Sequence, residues 1–193
     1  MTLEYNINKF KLDIATFGKR IIDEKLVDSN FGNISVKIGN DMLITKSGCC
    51  LDNITNDDVV CIGLNSKFIS ESNASSETPA HRMIYKNTSA CAIIHAHSPY
   101  SVIQSVQSNL DVIFPIDKYG VDTLNRIPII KGDYGTEELA KNAAYALIEH
   151  KGIIVYNHGT FAIGKTLDEA YNITKQIEKS CEIILKTGKY KQS

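Results

Sequence analysis

The chain has 193 residues, an apolar fraction of 43%, a charged fraction of 22% and a net charge of −1. These values suit a globular domain with a substantial core, and without a Lys/Arg run there is no electrostatic footprint for nucleic acid. No apolar run is long enough to span a bilayer, and residues 1–11 hold no signal-peptide core. Five cysteines, an odd number with no Cys-x-x-Cys, predict reduced thiols in a cytoplasmic protein.

Ile7, Phe10, Ile14, Phe17, Ile21 and Leu26 recur every three or four residues, which predicts an amphipathic helix over about 7–27. Residues 34–38 and 42–45 alternate as strands around a Gly39-Asn40-Asp41 turn, and Lys46-Ser47-Gly48 closes the second strand with a loop. Residues 59–62 form a third short strand. The polar stretch 65–76 is a loop with a brief strand near Phe68. Thr78-Pro79 reads as the N-cap and first position of a helix reaching about Lys86.

The apolar run 90–97 is a buried strand, and Ser98-Pro99 begin a helix to about Gln107. A strand piece near Ile113 and turns around Gly120 lead to a strand over 127–130, with Pro128 at an edge or start position. Thr136 caps a helix whose first turn carries Glu137 and Glu138, favourable against the helix dipole. Strands over 152–156 and 159–164 follow, then a last helix over about 167–186 stopped by Gly188, and a loose tail from Tyr190. With no repeat or linker, residues 1–193 read as a single α/β domain.

Chemistry concentrates at the strand that ends in His95-Ala96-His97. Strand side chains alternate faces, so both imidazoles aim the same way. An isolated His-x-His more often marks two histidines merely ending a strand, and other residues must decide. His158, in Asn157-His158-Gly159, follows another apolar strand and is delivered to the same sheet edge if the two strands end together. Three histidines with an open fourth position make a catalytic pattern for zinc, although manganese and cobalt also accept such ligands. His81 and His150 fall within predicted helices and read equally as surface or packing residues.

Glu77 sits just before a helix start, a favourable place for any acid. Ser75 and Ser76 before it add hydroxyls to the helix-start amides, the makings of an anion site. Gly32-Asn33 and Ser47-Gly48 are two further loops suited to phosphate, though each is also an ordinary turn. A Walker loop and a Gly-x-Gly-x-x-Gly fingerprint are both missing, which removes support for nucleotide binding.

In order, Gly32-Asn33-Ile34-Ser35, Thr45-Lys46-Ser47-Gly48, Ser75-Ser76-Glu77, His95-Ala96-His97-Ser98-Pro99 and Asn157-His158-Gly159 resemble the class II aldolase/adducin-head family over about residues 6–188. The resemblance implies an αβα sandwich around a mostly antiparallel sheet, assembled as a homotetramer with sites at subunit interfaces. It implies zinc on His95, His97 and His158, with Glu77 completing the resting metal shell and acting as the proton-transferring base. Gly32, Asn33, Ser47, Gly48, Ser75 and Ser76 would hold a substrate phosphate.

The implied reaction is cleavage of a ketose 1-phosphate, L-fuculose 1-phosphate above others, to dihydroxyacetone phosphate and L-lactaldehyde. Related members are pentulose-5-phosphate 4-epimerases, which usually carry Ser-Ser-Asp where this chain has Ser75-Ser76-Glu77, methylthioribulose-1-phosphate dehydratases, and non-catalytic adducin-like interaction heads. Tyr119, Tyr134 and Tyr190 are candidates to protonate the aldehyde oxygen, or else packing residues. Lys46 stands where relatives often have proline, a departure without an evident meaning in the sequence; the Cys49-Cys50 pair reads as small buried or half-buried residues.

Overall fold

The computed structural model describes residues 3–27, 31–66 and 73–190; the brief strand expected near Phe68 lies outside them. The amphipathic opening segment forms α1 (Leu3–Asp23) and stops short of the predicted end near Val27. Lys25 adopts left-handed backbone (φ 57°). Its amide donates to the Ile22 carbonyl and the Leu26 amide to the Ile21 carbonyl. Those paired bonds usually end a helix at glycine, so a lysine there gave no signal. Leu26 and Ile21 then share one apolar cluster, which offsets the cost of the turn.

The strands β1 (Gly32–Ile38), β2 (Asp41–Thr45) and β3 (Val59–Gly63) form a meander. They are followed by α2 (Thr78–Asn87), β4 (Ala92–Ala96), α3 (Pro99–Gln107), β5 (Val112–Ile113) and α4 (Lys118–Leu124). Next come β6 (Ile127–Ile130), α5 (Glu137–Ala146), β7 (Gly152–Val155), β8 (Gly159–Gly164) and α6 (Leu167–Thr187). One eight-stranded sheet results, in the order β3-β2-β1-β4-β8-β7-β6-β5. Its pairs are antiparallel apart from β6 with β7.

Strand alternation sorts the apolar side chains onto two faces. Met42, Ile44, Ile93 and Phe161 pack with Ile84 of α2 and Leu139 and Ala143 of α5. Ile34, Leu43 and Ile94 pack on the other face with Ile14 of α1 and Tyr171 of α6. Farther along that face, Ile154 and Ala162 meet Leu124 of α4 and Ile177 of α6. The architecture is the expected αβα sandwich with a mostly antiparallel centre.

Three local readings change. The turns expected around Gly120 are instead α4, capped by Asp117, whose carboxylate accepts from the Gly120 amide at 2.7 Å. Glycine is needed there for room, because a Cβ would run into Ser180 Oγ on α6. At α2 the N-cap is Glu77, not Thr78; the Thr78 hydroxyl donates backward to the Ser75 carbonyl at 2.6 Å. His150 lies beyond the end of α5, while His81 is on α2.

Candidate active site

Two antiparallel neighbours bring the histidines together. Ala96 of β4 pairs with Thr160 of β8, and the turn entering β8 carries His158 with Asn157 in left-handed backbone (φ 53°). At Gly159 a Cβ would lie 2.5 Å from the Ala96 carbonyl oxygen, so only glycine lets this turn close against the end of β4. His95 shares the strand face of Ile93, the face covered by α2 and α5. Glu77 opens α2 over the same sheet edge.

His95 Nδ1 lies 2.9 Å from the Thr160 carbonyl oxygen. A carbonyl only accepts, so Nδ1 carries the proton and the Nε2 lone pair is left for the cavity. His95 Nε2 and His97 Nε2 are 3.0 Å apart, and one ligand atom from each of His95, His97 and His158 falls within 4.8 Å of the others. Burial, joined by the neighbouring imidazoles of His97 and His158, holds His95 well below the usual histidine range. Burial and then His158 lower His97 to about 4, and burial lowers His158. All three rings are therefore neutral near pH 7, the form that ligates metal.

Glu77 is only 3% exposed, yet among the described residues neither of its carboxylate oxygens has a hydrogen-bond partner. Burial raises it to about 7; the nearby Gly135 amide pulls the other way to a smaller extent, without reaching hydrogen-bond geometry. Its Oε1 is 4.0 Å from His158 Nε2. A tetrahedral zinc at about 2.0–2.1 Å from each nitrogen needs donors roughly 3.3 Å apart. The neutral trio and the unpartnered carboxylate fit a nitrogen-preferring divalent ion with an anionic fourth donor.

All ten residues to which the resemblance gives a metal, proton-transfer or phosphate role line one cavity of ≈ 300 Å³. Gly32 (φ 124°) allows β1 to run against β4, since a Cβ there would lie 2.5 Å from the His95 carbonyl oxygen. Asn33 beside it is buried, with Oδ1 unpartnered. The Ser47 amide donates to the Asn73 carbonyl and the Ser75 amide to that of Thr45, so the two serine loops are stitched together. Ser75 Oγ accepts from the Glu77 amide at 3.2 Å, fixing the first turn of α2.

Three more of the described residues line the cavity: Phe31, Lys46 and Tyr134. The Phe31 ring stacks on His97 at 5.5 Å, and Tyr134 meets His158 edge-on at 6.5 Å. Phe31 was not foreseen; its only signal is an aromatic directly before Gly32 in an otherwise polar loop. Of the three candidate tyrosines only Tyr134 lines the cavity, whereas Tyr119 on α4 and Tyr190 are exposed elsewhere. Beneath the trio, His81 is fully buried with its ring edge-on to Phe161. Ser35 Oγ bridges His81 Nδ1 (2.6 Å) and Tyr85 Oη (2.7 Å), tying α2 to β1.

Residues 12–185 match the family described as Class II Aldolase and Adducin N-terminal domain. The chain belongs to that family. An L-fuculose phosphate aldolase of Methanococcus maripaludis is 30% identical over 180 residues, 89% of this chain and 96% of the relative. A 3-oxo-tetronate 4-phosphate decarboxylase of Escherichia coli is 28% identical over 164 residues, 81% of this chain and 77% of the relative. The crystal structure of an L-fuculose-1-phosphate aldolase from Thermus thermophilus superposes with a TM-score of 0.87 at 31% identity, covering 92% of this chain and 93% of that one. Relatives named for different reactions thus align with most of this chain.

Proposed function

We propose that the chain is a metal-dependent aldolase that reversibly cleaves a ketose 1-phosphate, with L-fuculose 1-phosphate as the first substrate to test, into dihydroxyacetone phosphate and L-lactaldehyde. The observation that carries this reading is the buried Glu77 carboxylate, without a hydrogen-bond partner among the described residues and 4.0 Å from His158 of the histidine trio. His95, His97 and His158 would hold the ion, with Glu77 as a fourth donor in the resting state. The ion, zinc by its preference for nitrogen, would supply Lewis-acid polarisation of the substrate carbonyl.

Glu77, with a pKa near neutrality, holds or releases a proton at its carboxylate as the carbon next to the carbonyl loses or regains one. The Ser47, Ser75 and Ser76 hydroxyls and Asn33 grip the phosphate, while Gly32 and Gly48 leave the backbone accessible to it. That grip orients the reacting carbons, so binding energy at the phosphate serves the chemistry. The Tyr134 phenol, at the cavity rim, donates the proton that the aldehyde oxygen needs in the condensation direction and, as phenolate, takes one from the corresponding substrate hydroxyl in cleavage.

The reading includes a cytoplasmic homotetramer with sites at subunit interfaces. It is supported by the exposure of Phe31 and Tyr134 at the rim and by apolar Ile103, Val106 and Leu110 left open on and just after α3. Among the described residues no helix is long and apolar enough to cross a membrane. The non-catalytic, adducin-like reading has no use for an unpartnered buried carboxylate facing three histidines. A decarboxylase, epimerase or dehydratase would use the same donors on a different sugar phosphate.

The test is incubation of zinc-loaded protein with L-fuculose 1-phosphate and assay of released dihydroxyacetone phosphate, with a chelated control. Metal-dependent release is expected. No release from protein shown to hold one ion per chain overturns the aldolase reading and sends the epimerase and dehydratase sugars to test next. His97→Ala is expected to lose most bound metal; a fully metallated, active variant would remove His97 from the ligand set.

A further inference from the structure

The cavity that would receive a doubly charged phosphate contains one side chain whose role the reading above leaves open. Among the described residues lining it, Lys46 is the one lysine or arginine. Apart from Lys46 and the ion that the histidine trio would hold, an anion here meets hydroxyls, amides and the Glu77 carboxylate.

Strand geometry puts Lys46 on the cavity side. Met42 and Ile44 of β2 point into the core under α2 and α5, and Lys46 is the next residue of that parity. A bridge between Lys46 and Ala74 extends the pleat one residue past β2 and holds the two serine loops side by side. The Lys46 amide also donates to the Asp58 carbonyl at 2.8 Å, a bond that proline, often present at this place in the family, cannot make.

The ammonium is uncommitted in the sense that matters: among the described residues no carboxylate lies within ion-pair distance of it. Asp58, the acid it influences electrostatically, spends Oδ2 on the Thr55 amide and hydroxyl at 2.9 and 2.6 Å.

We propose that Lys46 is a phosphate-binding residue of this site, placing a fixed positive charge against the ligand's phosphate where relatives with proline rely on hydroxyls and backbone amides. The assignment rests on the phosphate end of the cavity being the one read above. It makes this chain selective for dianionic ligands over neutral or monoanionic ones of the same shape. A lysine ammonium is a compact point charge on a flexible stem, so it follows the phosphate without dictating its orientation. Orientation is left to the serine loops and Gly48.

The probe is inorganic phosphate, titrated calorimetrically into the metal-loaded protein. Lys46→Gln is expected to weaken binding by about ten- to a hundredfold, the loss typical of a charge-assisted hydrogen bond. Lys46→Arg should stay within a few fold of wild type. Wild-type affinity should fall as salt rises, with a flatter dependence in Lys46→Gln.

Lys46 is partly exposed, so both variants should fold and hold metal as the wild type does, which circular dichroism and metal analysis would verify. Equal phosphate affinity in wild type and Lys46→Gln overturns the Lys46 assignment alone, because phosphate bound by the ion or the serine loops would not distinguish them. Failure of the wild type itself to bind phosphate overturns the phosphate reading of the cavity, and Lys46's role with it.

Discussion

Two glutamates are buried on opposite faces of the sheet, and they are treated differently. Glu178 of α6 is 6% exposed and accepts three hydrogen bonds: from the Tyr100 amide at 2.7 Å, the Ser101 amide at 2.9 Å and the Ser101 hydroxyl at 2.6 Å. It caps the start of α3 from a neighbouring helix, where the exposed amides and dipole favour a negative charge. Burial still raises its pKa, but those three donors pull the other way. Glu77 is as deeply buried, and among the described residues only the Gly135 amide pulls on it, without reaching hydrogen-bond geometry. The desolvation is shared; the donors are not. A carboxylate supplied with donors holds the fold together, and one left bare costs the fold stability that only a bound ligand or proton recovers. Both act near one point, since α3 starts two residues after His97.

The largest expected effect is on the bare member of the pair. Glu77→Gln should lower turnover by roughly 10²- to 10⁴-fold, the usual worth of a positioned acid–base group. The melting temperature of the metal-free protein should hold or rise, because a desolvated acid is replaced by a neutral amide. Exchange of the carbon-bound proton of dihydroxyacetone phosphate with D₂O, followed by NMR, reads the first expectation and a thermal melt the second. Intact exchange with a lower melting temperature would invert the comparison.

Glu178→Ala should do the opposite and cost about 2–4 kcal/mol in urea unfolding, since it strips a helix start of a cap and leaves two amides and a hydroxyl without their acceptor. Glu178→Gln retains an acceptor oxygen and should cost less than half of that. If the alanine variant is as stable as wild type, the cap is ornamental and donor number is not what separates the two glutamates.

The sequence disclosed the site better than it disclosed the frame around it. His95 and His97 were readable because strand parity fixes their common direction, and all ten named residues line one cavity because their motifs close strands that end at the same edge. What stayed hidden depended on contacts between distant segments. The helix at Gly120 looked like a turn because glycine is there to make room for Ser180, 60 positions away, not to bend the chain. The end of α1 was missed because a lysine occupies a conformation normally given to glycine. Glu178 drew no notice, since an acid on an amphipathic helix reads as solvated until α3 is seen against it. Phe31 belongs to no periodic pattern, and only the stacking on His97 gives it meaning.

His81 sharpens the comparison with a smaller effect. It lies one turn after Glu77 on α2, fully buried, and burial lowers it to about 3. Between pH 6.5 and 3 the unfolded chain takes up a proton at this ring and the folded chain does not. Stability contributed by the neutral ring is therefore complete above pH 6.5 and declines on acidification, by at most about 1.4 kcal/mol per pH unit. The cavity histidines, also lowered, act with the same sign, so the difference between wild type and a variant isolates His81. Glu77, raised to about 7, acts oppositely and is common to both proteins. His81→Gln can still pair with the Ser35 hydroxyl but does not titrate. Urea unfolding of the metal-free proteins from pH 8 down to pH 4.5 should show the variant starting about 1 kcal/mol less stable and losing less per pH unit. Parallel curves would mean that folded His81 takes up a proton where Glu77 is bare, and that a neutral donor chain through Ser35 and Tyr85 is not what ties α2 to β1.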